Sequence, residues 1–345
     1  MNKVNTYADA IKDALKLSIK RDKKVILLGL GVDDPKGIFG TTKEIHKFFP
    51  QNVFDMPTAE NGFTGFALGL AVSGFRPVIV HQRVEFSLLS IEQIFNQIAK
   101  WNYMSAGSVS VPMVIRLIVG KGWGQGPQHS QSLETIFSHI PGLKVVCPSN
   151  PEDAKGLMIA SIRDNNPVIF FEHRWCHGIK GRINKNLKNY KIGKAKIIKK
   201  GKHISLISYS YSTLECIYAA NILKKNGIFC EVLDLRSLRP LDKKAILNSA
   251  KKTKKVLIVD NGMKTYGISS EILSIIHENL KNINAERIGV IETPLPSSVA
   301  LAKHCYPEHD KIIYKICKML KIRKKIIFQK NKNPDQPNAE FKGPF

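Results

Sequence analysis

DMPTAENGFTGFALGLAVSGFRP, residues 55–77, is the stretch that decides the fold prediction. It predicts a helix over 60–73, with Thr58 as its N-cap and Glu60 in its first turn. Three glycines recur at spacings of three and four on roughly one helical face: Gly62, Gly65 and Gly69. Because each glycine lowers helix stability by about 1 kcal/mol relative to alanine, they indicate a face kept bare for another backbone or a ligand. A capping glutamate on a tightly packed helix is the alternative.

Strands and helices alternate on both sides of this stretch. The predicted strands are 24–28, 77–81, 111–119, 144–147, 168–172, 203–208, 230–235 and 255–260, and the predicted helices are 8–19, 60–73, 88–99, 151–163, 213–225, 243–250, 269–279 and 312–320. This alternation predicts an α/β protein with two doubly wound, mostly parallel-sheet domains. We expect domains at 1–182 and 202–325, a basic linker at 183–201, and a basic, proline-rich tail at 326–345.

The composition of the 345 residues is that of a folded globular protein, with 43% hydrophobic residues and a net charge of +25. The lysines are spread along the chain without interleaved aromatic residues, which favours a solvated surface over nucleic-acid binding. No apolar run is long enough to span a membrane. Six widely spaced cysteines without a CxxC pair, and a charged amino terminus unlike a secretory signal, predict reduced thiols and a cytoplasmic location.

Further motifs occur in order along the chain. They are Gly74–Pro77, His81–Phe86, Asn102–Ser105, Gln128–Gln131, Pro141–Val146, Glu152–Gly156, Arg163–Pro167, Ser237–Asp242 and Tyr266–Glu271. With Glu60 and its glycine helix, they resemble the β subunit of the thiamine-diphosphate-dependent decarboxylating component of 2-oxoacid (pyruvate or branched-chain) dehydrogenase complexes. The resemblance extends to the pyrimidine-binding half of transketolases. It implies a pyrimidine-binding domain followed by a transketolase-like carboxy-terminal domain.

This resemblance implies roles for four side chains. Glu60 is expected to hydrogen-bond the pyrimidine nitrogen of thiamine diphosphate and to promote its imino tautomer, which makes it catalytic. Phe86 is expected to stack on the aminopyrimidine and Gln82 to line the same pocket. His129 is expected to face the substrate as a proton donor or acceptor. The alternatives are a core phenylalanine and a structural histidine.

The resemblance also implies metals. The backbone carbonyls of a set of residues are a possible K⁺ site by family comparison: Met113, Ser161, Asp164 and Asn166. The superfamily holds Mg²⁺ and the diphosphate through a Gly-Asp-Gly motif and a later pair of asparagines. This chain contains no Gly-Asp-Gly, and its Asn165-Asn166 pair has no such motif upstream.

A second polypeptide is therefore expected to hold Mg²⁺ and the diphosphate, by family comparison an α subunit in an α2β2 assembly. Alone, the chain is expected to be inactive. A lipoyl acyltransferase is a further candidate partner, although the basic segment Lys321–Lys332 would repel the basic domain by which such a core docks. A 2-oxo acid is the expected substrate.

Two other functions compete with a 2-oxoacid dehydrogenase β subunit. One is the carboxy-terminal half of a split transketolase, which usually carries a Thr-His-Gln-Pro-like motif where Gln128-His-Ser-Gln131 stands here. The other is a non-catalytic scaffold, against which the retention of Glu60, Phe86 and His129 argues.

Arg83 is an unusual residue to find beside the pyrimidine pocket. It either selects an anionic substrate group or pairs with Glu85.

Overall fold

The computed structural model of the chain describes residues 4–122, 124–184, 187, 190–324 and 326–328. Most of the predicted tail, residues 329–345, lies outside this range. The strands of the described part are β1 Val4–Thr6, β2 Val25–Gly29, β3 Val53–Asp55, β4 Arg76–His81, β5 Val114–Val119, β6 Lys144–Val146, β7 Val168–His173, β8 Lys180–Arg182, β9 Lys196–Lys199, β10 Ile204–Ser208, β11 Cys230–Asp234, β12 Ser237–Arg239, β13 Lys255–Met263 and β14 Asn284–Val290.

Helices alternate with these strands. They are α1 Tyr7–Arg21, α2 Ile45–Phe48, α3 Glu60–Val72, α4 Trp101–Met104, α5 Glu134–His139, α6 Pro151–Arg163, α7 Ser210–Lys224, α8 Lys243–Thr253, α9 Ile268–Asn279, α10 Val299–Ala302 and α11 His309–Leu320. Short 3₁₀ helices occur at Ile38–Gly40, Pro50–Asn52, Val84–Ser90 and Arg174–Cys176, and a π-helix spans Gln93–Ile98.

The first sheet has the order β12-β6-β7-β5-β4-β2-β3, in which all neighbouring strands are parallel except β12, which is antiparallel to β6. Its two faces follow from the alternation of side chains along each strand. In β2, Val25 and Leu27 pack into one cluster with α1 and α6. Ile26 and Leu28 face a second cluster that contains apolar residues of α3. Helices therefore cover both faces of this sheet.

The second sheet has the order β14-β13-β10-β11-β9, with β9 antiparallel to β11 and the other strands parallel. Apolar residues of α7 and α11 pack on one face. Those of α8 and α9 pack on the other face, in the cluster that continues into the first sheet. The prediction of an α/β protein with two doubly wound, mostly parallel sheets is confirmed.

Some elements differ from the sequence prediction. The helix predicted over 88–99 is instead a 3₁₀ helix from Val84 to Ser90 and, after Ile91 and Glu92, the π-helix Gln93–Ile98. The range predicted as a linker contains β9, which belongs to the second sheet. β12 lies in the second half of the chain but joins the first sheet. The domain boundaries themselves stay a prediction.

Two further expectations concern the cysteines and the membrane. All six cysteines are free, and five of them are buried. In the part of the chain that the structure describes, we find no helix with the length and apolar character needed to span a membrane.

Candidate active site

The carboxyl ends of the parallel strands in the first sheet form one edge, where open α/β sheets bind ligands. The segments that leave this edge carry the predicted site residues. Glu60 follows β3, Gln82 and Phe86 follow β4, and His129 lies in the loop after β5. The parallel topology therefore gathers residues that are as much as 69 positions apart in the sequence at one edge of the sheet.

Glu60 is the first residue of α3, and its side chain is buried, at 9% exposure. The N-cap is Ala59, without a side-chain hydrogen bond, so the prediction that Thr58 caps this helix is wrong. The Glu60 carboxylate has no hydrogen-bond or ion-pair partner among the described residues. The unpaired N–H groups of the first helical turn favour a negative charge at this position.

Contacts between neighbouring loops determine where α3 begins. The Asp55 carboxylate accepts hydrogen bonds from the backbone N–H groups of Gly31 (2.5 Å) and Val32 (3.2 Å). The N–H of Met56 donates to the carbonyl of Gly29 at 3.3 Å. These contacts join the end of β3 to the end of β2. The chain then bends at Thr58, where the N–H of Ala59 donates to the carbonyl of Pro57 at 2.7 Å, and α3 begins at the next residue.

Gln82 and Phe86 lie on the segment that follows β4. The Gln82 side chain donates to the carbonyl of Leu30 at 2.7 Å, which fixes it against the loop after β2. The Phe86 ring is partly buried on the 3₁₀ helix and meets the His129 ring edge-on, with 5.7 Å between centroids. This edge-to-face geometry orients both rings. The structure thus brings Phe86 and His129 into contact.

His129 is half-buried in the glycine-rich loop between β5 and α5, residues 120–133, which is also called the histidine loop below. Its Nδ1 is buried and has no hydrogen-bond partner within the described residues. Burial lowers the pKa of His129 below its usual range, and the positive charge of Arg83 lowers this pKa further. Its imidazole is therefore neutral near pH 7, and neutral imidazole both accepts and donates a proton.

The loop that carries His129 is closed by a near contact at its first residue. A Cβ added to Gly120 would lie 2.6 Å from the carbonyl oxygen of His129, which is too close for any side chain. Glycine at 120 therefore allows the two ends of the loop to meet.

Glu85 is a site residue that the sequence analysis missed. Its carboxylate is buried and accepts the backbone N–H of Gln131 at 2.9 Å, two residues beyond His129. Burial raises the pKa of Glu85. The contact joins the segment after β4 to the histidine loop. The sequence did contain a signal for it, because Glu85 is the one acidic residue in the mostly apolar segment Val84–Ser90.

Arg83 does not pair with Glu85. Its guanidinium Nη1 donates to the side-chain oxygen of Gln125 in the glycine-rich loop. No ion pair joins Arg83 to any acid among the residues that the structure describes. Of the two interpretations of Arg83, pairing with Glu85 is therefore excluded by the geometry.

The four residues predicted to hold potassium lie near the opposite edge of the sheet, before β5 and before β7. The carbonyl of Met113 accepts the N–H of Val168, and that of Ser161 accepts the N–H of Asp164. The carbonyl of Asp164 accepts a guanidinium N–H of Arg76 at 3.1 Å. Each of these carbonyl oxygens already accepts a hydrogen bond from the chain, so a potassium ion would bind oxygens that also hold an N–H donor.

Asn166 belongs to the same turn, where its N–H donates to the Asp164 carboxylate at 2.9 Å. The potassium site stays a prediction. Within the described residues, no group of three or more His, Cys, Asp or Glu side chains is placed to hold a metal ion.

A cavity of about 580 Å³ lies between the two sheets, beside the histidine loop. It is lined by Lys121 and Gln131 of that loop, by Tyr211 of α7, and by Asn261 and Tyr266 from the second half of the chain. Glu60, Gln82 and Phe86 do not line it. The cavity is thus separate from the predicted cofactor residues.

Buried Glu134 in α5 joins the two domains beside this cavity, since it accepts the side-chain N–H of Asn261 at 3.0 Å. Burial raises its pKa to about 7, and nearby Asp260 adds to the shift. From about pH 5 to pH 7 the folded state holds a proton on Glu134 that the unfolded chain has lost, because the unfolded pKa is about 4.3. Folding stability therefore falls as pH rises through this range, by up to about 1.4 kcal/mol per pH unit.

We expect Glu134→Gln to remove this dependence, because glutamine keeps an acceptor for Asn261 and cannot ionise. The melting temperature of the variant, relative to the unsubstituted chain, should rise between about pH 5 and about pH 8. Thermal unfolding of both proteins at the two pH values measures this difference. A difference that stays constant with pH would contradict the assignment.

The residues at the carboxyl edge fit a flat, hydrogen-bonding heterocycle. Glu60 offers a carboxylate without a partner among the described residues. Phe86 offers an aromatic ring, and Gln82 offers an amide held against the loop after β2. A carboxylate at the edge of such a ring and an aromatic group at its face are what an aminopyrimidine requires.

Comparison with known families covers most of the chain. The family model described as the transketolase pyrimidine-binding domain matches residues 3–176, and that of the transketolase C-terminal domain matches residues 193–312. Among solved structures, a split-gene transketolase described as an inactive β4 tetramer has a TM-score of 0.77 at 20% identity, covering 92% of this chain and 99% of that one. This likeness shows the fold.

Similar curated proteins share more of the sequence. The chain is 38% identical over 316 residues to the mitochondrial pyruvate dehydrogenase E1 component subunit beta-2 of Oryza sativa subsp. japonica, covering 89% of this chain and 84% of that one. It is 37% identical to the pyruvate dehydrogenase E1 component subunit beta of Rickettsia bellii, covering 90% and 98%.

A relative named for a different activity has a similar degree of identity. The β subunit of acetoin:2,6-dichlorophenolindophenol oxidoreductase of Cupriavidus necator is 37% identical over 305 residues, covering 85% of this chain and 90% of that one. The resemblance inferred from the motifs is thereby confirmed. Because both domain models match in order and the identity extends over most of the chain, this protein belongs to the transketolase-like family that includes the E1 β subunits of pyruvate dehydrogenase.

Proposed function

We propose that this chain is the β subunit of a thiamine-diphosphate-dependent 2-oxoacid dehydrogenase or decarboxylase, and that it binds the aminopyrimidine of the cofactor through Glu60. One observation carries the proposal. Glu60 is a largely buried residue whose carboxylate has no partner among the described residues, and it lies at the start of a glycine-faced helix, at the same sheet edge as Phe86 and His129. A carboxylate that has no protein partner at this sheet edge is available to hydrogen-bond a ligand.

The chain's own residues then have distinct tasks. Glu60 would hydrogen-bond the pyrimidine nitrogen and hold the shared proton, Phe86 would pack against the ring, and Gln82 would line the same pocket. When bound, the cofactor supplies an electron sink for the decarboxylation of a 2-oxo acid.

His129 is the second catalytic residue of the proposal. Its neutral imidazole is able to transfer a proton to or from a substrate oxygen, and its Nδ1 is without a partner in the described part of the chain. Edge-on contact with Phe86 orients the ring. Glu85 holds the histidine loop through the N–H of Gln131. Glu85 is thus a positioning residue.

The cofactor site is proposed to be completed by a partner. Without a Gly-Asp-Gly motif, this chain has no counterpart of the family's Mg²⁺–diphosphate site. Side chains on three helices expose apolar surface to solvent: Phe66 on α3 (55%), Leu89 on the 3₁₀ helix that packs on α3 (65%), and Tyr103 (89%) and Met104 (60%) on α4. Such surface is typical of an interface with another protein.

The glycine face of α3 is open as well. Gly62 and Gly69 are exposed, and a Cβ added at Gly69 would meet nothing within 4 Å. This chain alone therefore gives no packing reason for glycine at position 69, whereas the close approach of a partner would give one.

We propose an α subunit with the Gly-Asp-Gly motif, in an α2β2 assembly, that brings Mg²⁺. A bound K⁺ and a lipoyl acyltransferase are further parts of the proposal.

The test is reconstitution. We expect the chain, mixed with a polypeptide that carries the Gly-Asp-Gly and paired-asparagine motifs, to release CO₂ from a 2-oxo acid when thiamine diphosphate and Mg²⁺ are added. Either chain alone should be inactive, and calorimetry should show no tight binding of thiamine diphosphate with Mg²⁺ to this chain alone.

Two results would contradict the proposal. Tight cofactor binding by the isolated chain would refute the shared site. Transfer of two-carbon units between sugar phosphates by the mixture, without decarboxylation of 2-oxo acids, would favour the transketolase alternative.

A further inference from the structure

The histidine loop is held at both ends by the second half of the chain, which has no task in the proposed chemistry so far. At the start of the loop, the Lys121 ammonium donates to Oε1 of Glu308, the residue before α11, at 3.3 Å. At its end, the hydroxyl oxygen of Ser132 accepts a hydrogen bond from the side chain of Asn261 in β13 at 3.1 Å. His129 lies between these two contacts in the sequence.

Lys121 is buried, at 5% exposure, in a cage of three aromatic rings. Its Nζ lies 4.1 Å from the ring centroid of Tyr306, 4.4 Å from that of Trp175 and 5.3 Å from that of Tyr211. A cation within about 6 Å of a ring centroid is attracted by the face of the ring, more strongly where water is excluded. Trp175 follows β7, whereas Tyr211 belongs to α7 and Tyr306 precedes α11. One side chain thus contacts both halves of the chain.

The walls of this aromatic cage are fixed by contacts of their own. The Tyr211 hydroxyl donates to Oε1 of Glu215 at 2.7 Å, and Oε2 of Glu215 accepts the backbone N–H of His309 at 2.8 Å. The Tyr211 ring stacks on His173, with 5.0 Å between centroids, and meets Trp175 edge-on at 5.2 Å. The cage is therefore preorganised for the ammonium.

The position of Lys121 is transmitted to His129 through the backbone. A Cβ added to Gly120 would lie 2.6 Å from the carbonyl oxygen of His129, so the backbone next to Lys121 packs directly on that of the histidine. From the other side, Glu85 holds the N–H of Gln131. A shift of Lys121 would move Gly120 and remove one of the surfaces that hold the histidine backbone.

The energetics of a buried lysine favour a role in geometry over a role in stability. Taking an ammonium and a carboxylate out of water costs free energy that their attraction often fails to recover. A neutral pair of similar shape would pack there without this cost. The ion pair is satisfied in one arrangement of the loop only, because both buried groups lose a partner when the loop moves.

We propose that Lys121 is a positioning residue for His129. Held by the aromatic cage and by Glu308, it lets the second half of the chain keep the histidine loop in the geometry that proton transfer needs. This inference rests on the proposed function for the reaction itself, and it adds a task for the elements around α7 and α11.

The kinetic test uses the reconstituted complex. Lys121→Met keeps most of the apolar stem and removes the charge, and it should lower kcat for decarboxylation by about 10- to 100-fold while KM changes less than about threefold. Lys121→Arg keeps a cation for the rings and for Glu308, and it should retain kcat within about threefold. Lys244→Met, at an exposed lysine of α8, is the matched control and should change neither value.

Hydrogen exchange measured by mass spectrometry tests the loop without any turnover. In the full-length chain alone, backbone amides of residues 120–133 should exchange about 10-fold or more faster in Lys121→Met than in the unsubstituted chain. Amides of α6 and the control Lys244→Met should show no change. The double variant Lys121→Met with Glu308→Gln removes both charges, so it should regain the melting temperature of the unsubstituted chain and still show the fast loop exchange.

Several results would overturn the inference. They are unchanged loop exchange in Lys121→Met, loop exchange that returns to the unsubstituted rate in the double variant, faster loop exchange without loss of kcat, and a kcat of Lys121→Arg as low as that of Lys121→Met. If the loop exchanges faster as expected but the unsubstituted complex decarboxylates no 2-oxo acid, the proposed function fails and the role of Lys121 in holding the loop stands.

Discussion

Replacing Glu60 with glutamine is expected to lower thiamine-diphosphate-dependent decarboxylation by the reconstituted complex by about 100-fold or more. Glutamine has nearly the same shape, but its amide cannot hold the exchangeable proton that a carboxyl group shares with the pyrimidine nitrogen. The loss expected for one acid–base group is about 10²- to 10⁴-fold. The measurement is the rate of CO₂ release at saturating cofactor.

The matched control for Glu60→Gln is Glu271→Gln. Glu271 also lies in the first turn of a helix, α9, and it is exposed. Its substitution should leave decarboxylation unchanged, and both variants should show the melting temperature of the unsubstituted chain within a few degrees. Full activity of Glu60→Gln would mean that the carboxylate is structural, as a capping glutamate would be.

Replacing Glu172 with glutamine is expected to destabilise the folded chain by about 3–5 kcal/mol. Arg116 and Glu172 lie fully buried on the neighbouring central strands β5 and β7, with Nε to Oε1 at 2.6 Å and Nη2 to Oε2 at 3.0 Å. Arg116 also donates to the hydroxyl of Thr41 at 2.7 Å. The Arg116 guanidinium holds the pKa of Glu172 at about 2 despite its burial. Neutralising Glu172 leaves a buried cation without its counter-charge.

Urea unfolding of Glu172→Gln measures this loss, and Glu44→Gln is the control. Glu44 pairs with Lys47 at 4.0 Å on the surface, where an ion pair is worth about 0–1 kcal/mol. The double variant Arg116→Met with Glu172→Leu should be more stable than Glu172→Gln, because it removes both charges. If Glu172→Gln is as stable as Glu44→Gln, the buried pair does not stabilise the sheet as inferred.

Local sequence patterns predicted most of the fold. Helix α6 has the bounds that its pattern predicted, because Asn150 accepts the N–H of Asp153, Pro151 begins the helix, and apolar residues recur at helical spacing. The strands of the sheet centres were recognised from short apolar runs. These features depend on neighbours within a few residues, so the sequence displays them directly.

Other elements depend on distant parts of the chain. β12 consists of three residues and is a strand because it pairs with β6, more than 90 positions earlier. The segment 84–98 winds as 3₁₀ and then π-helix where α3 packs on it and Phe86 meets His129. Thr58 does not cap α3 because the chain, tied to the neighbouring loop at Asp55 and Met56, turns at Thr58 and places Ala59 at the N-cap position.

By itself, the sequence determined that two alternating α/β units follow each other, that Glu60 lies in the first turn of a glycine-faced helix, and that the chain lacks a Gly-Asp-Gly motif. Helical and strand periodicity and short motifs are local properties. Only the tertiary structure decided that Arg83 bonds to Gln125 rather than pairing with Glu85, and that Phe86 meets His129. Those contacts join segments that follow different strands, and only the parallel order of the sheet brings such segments to one edge.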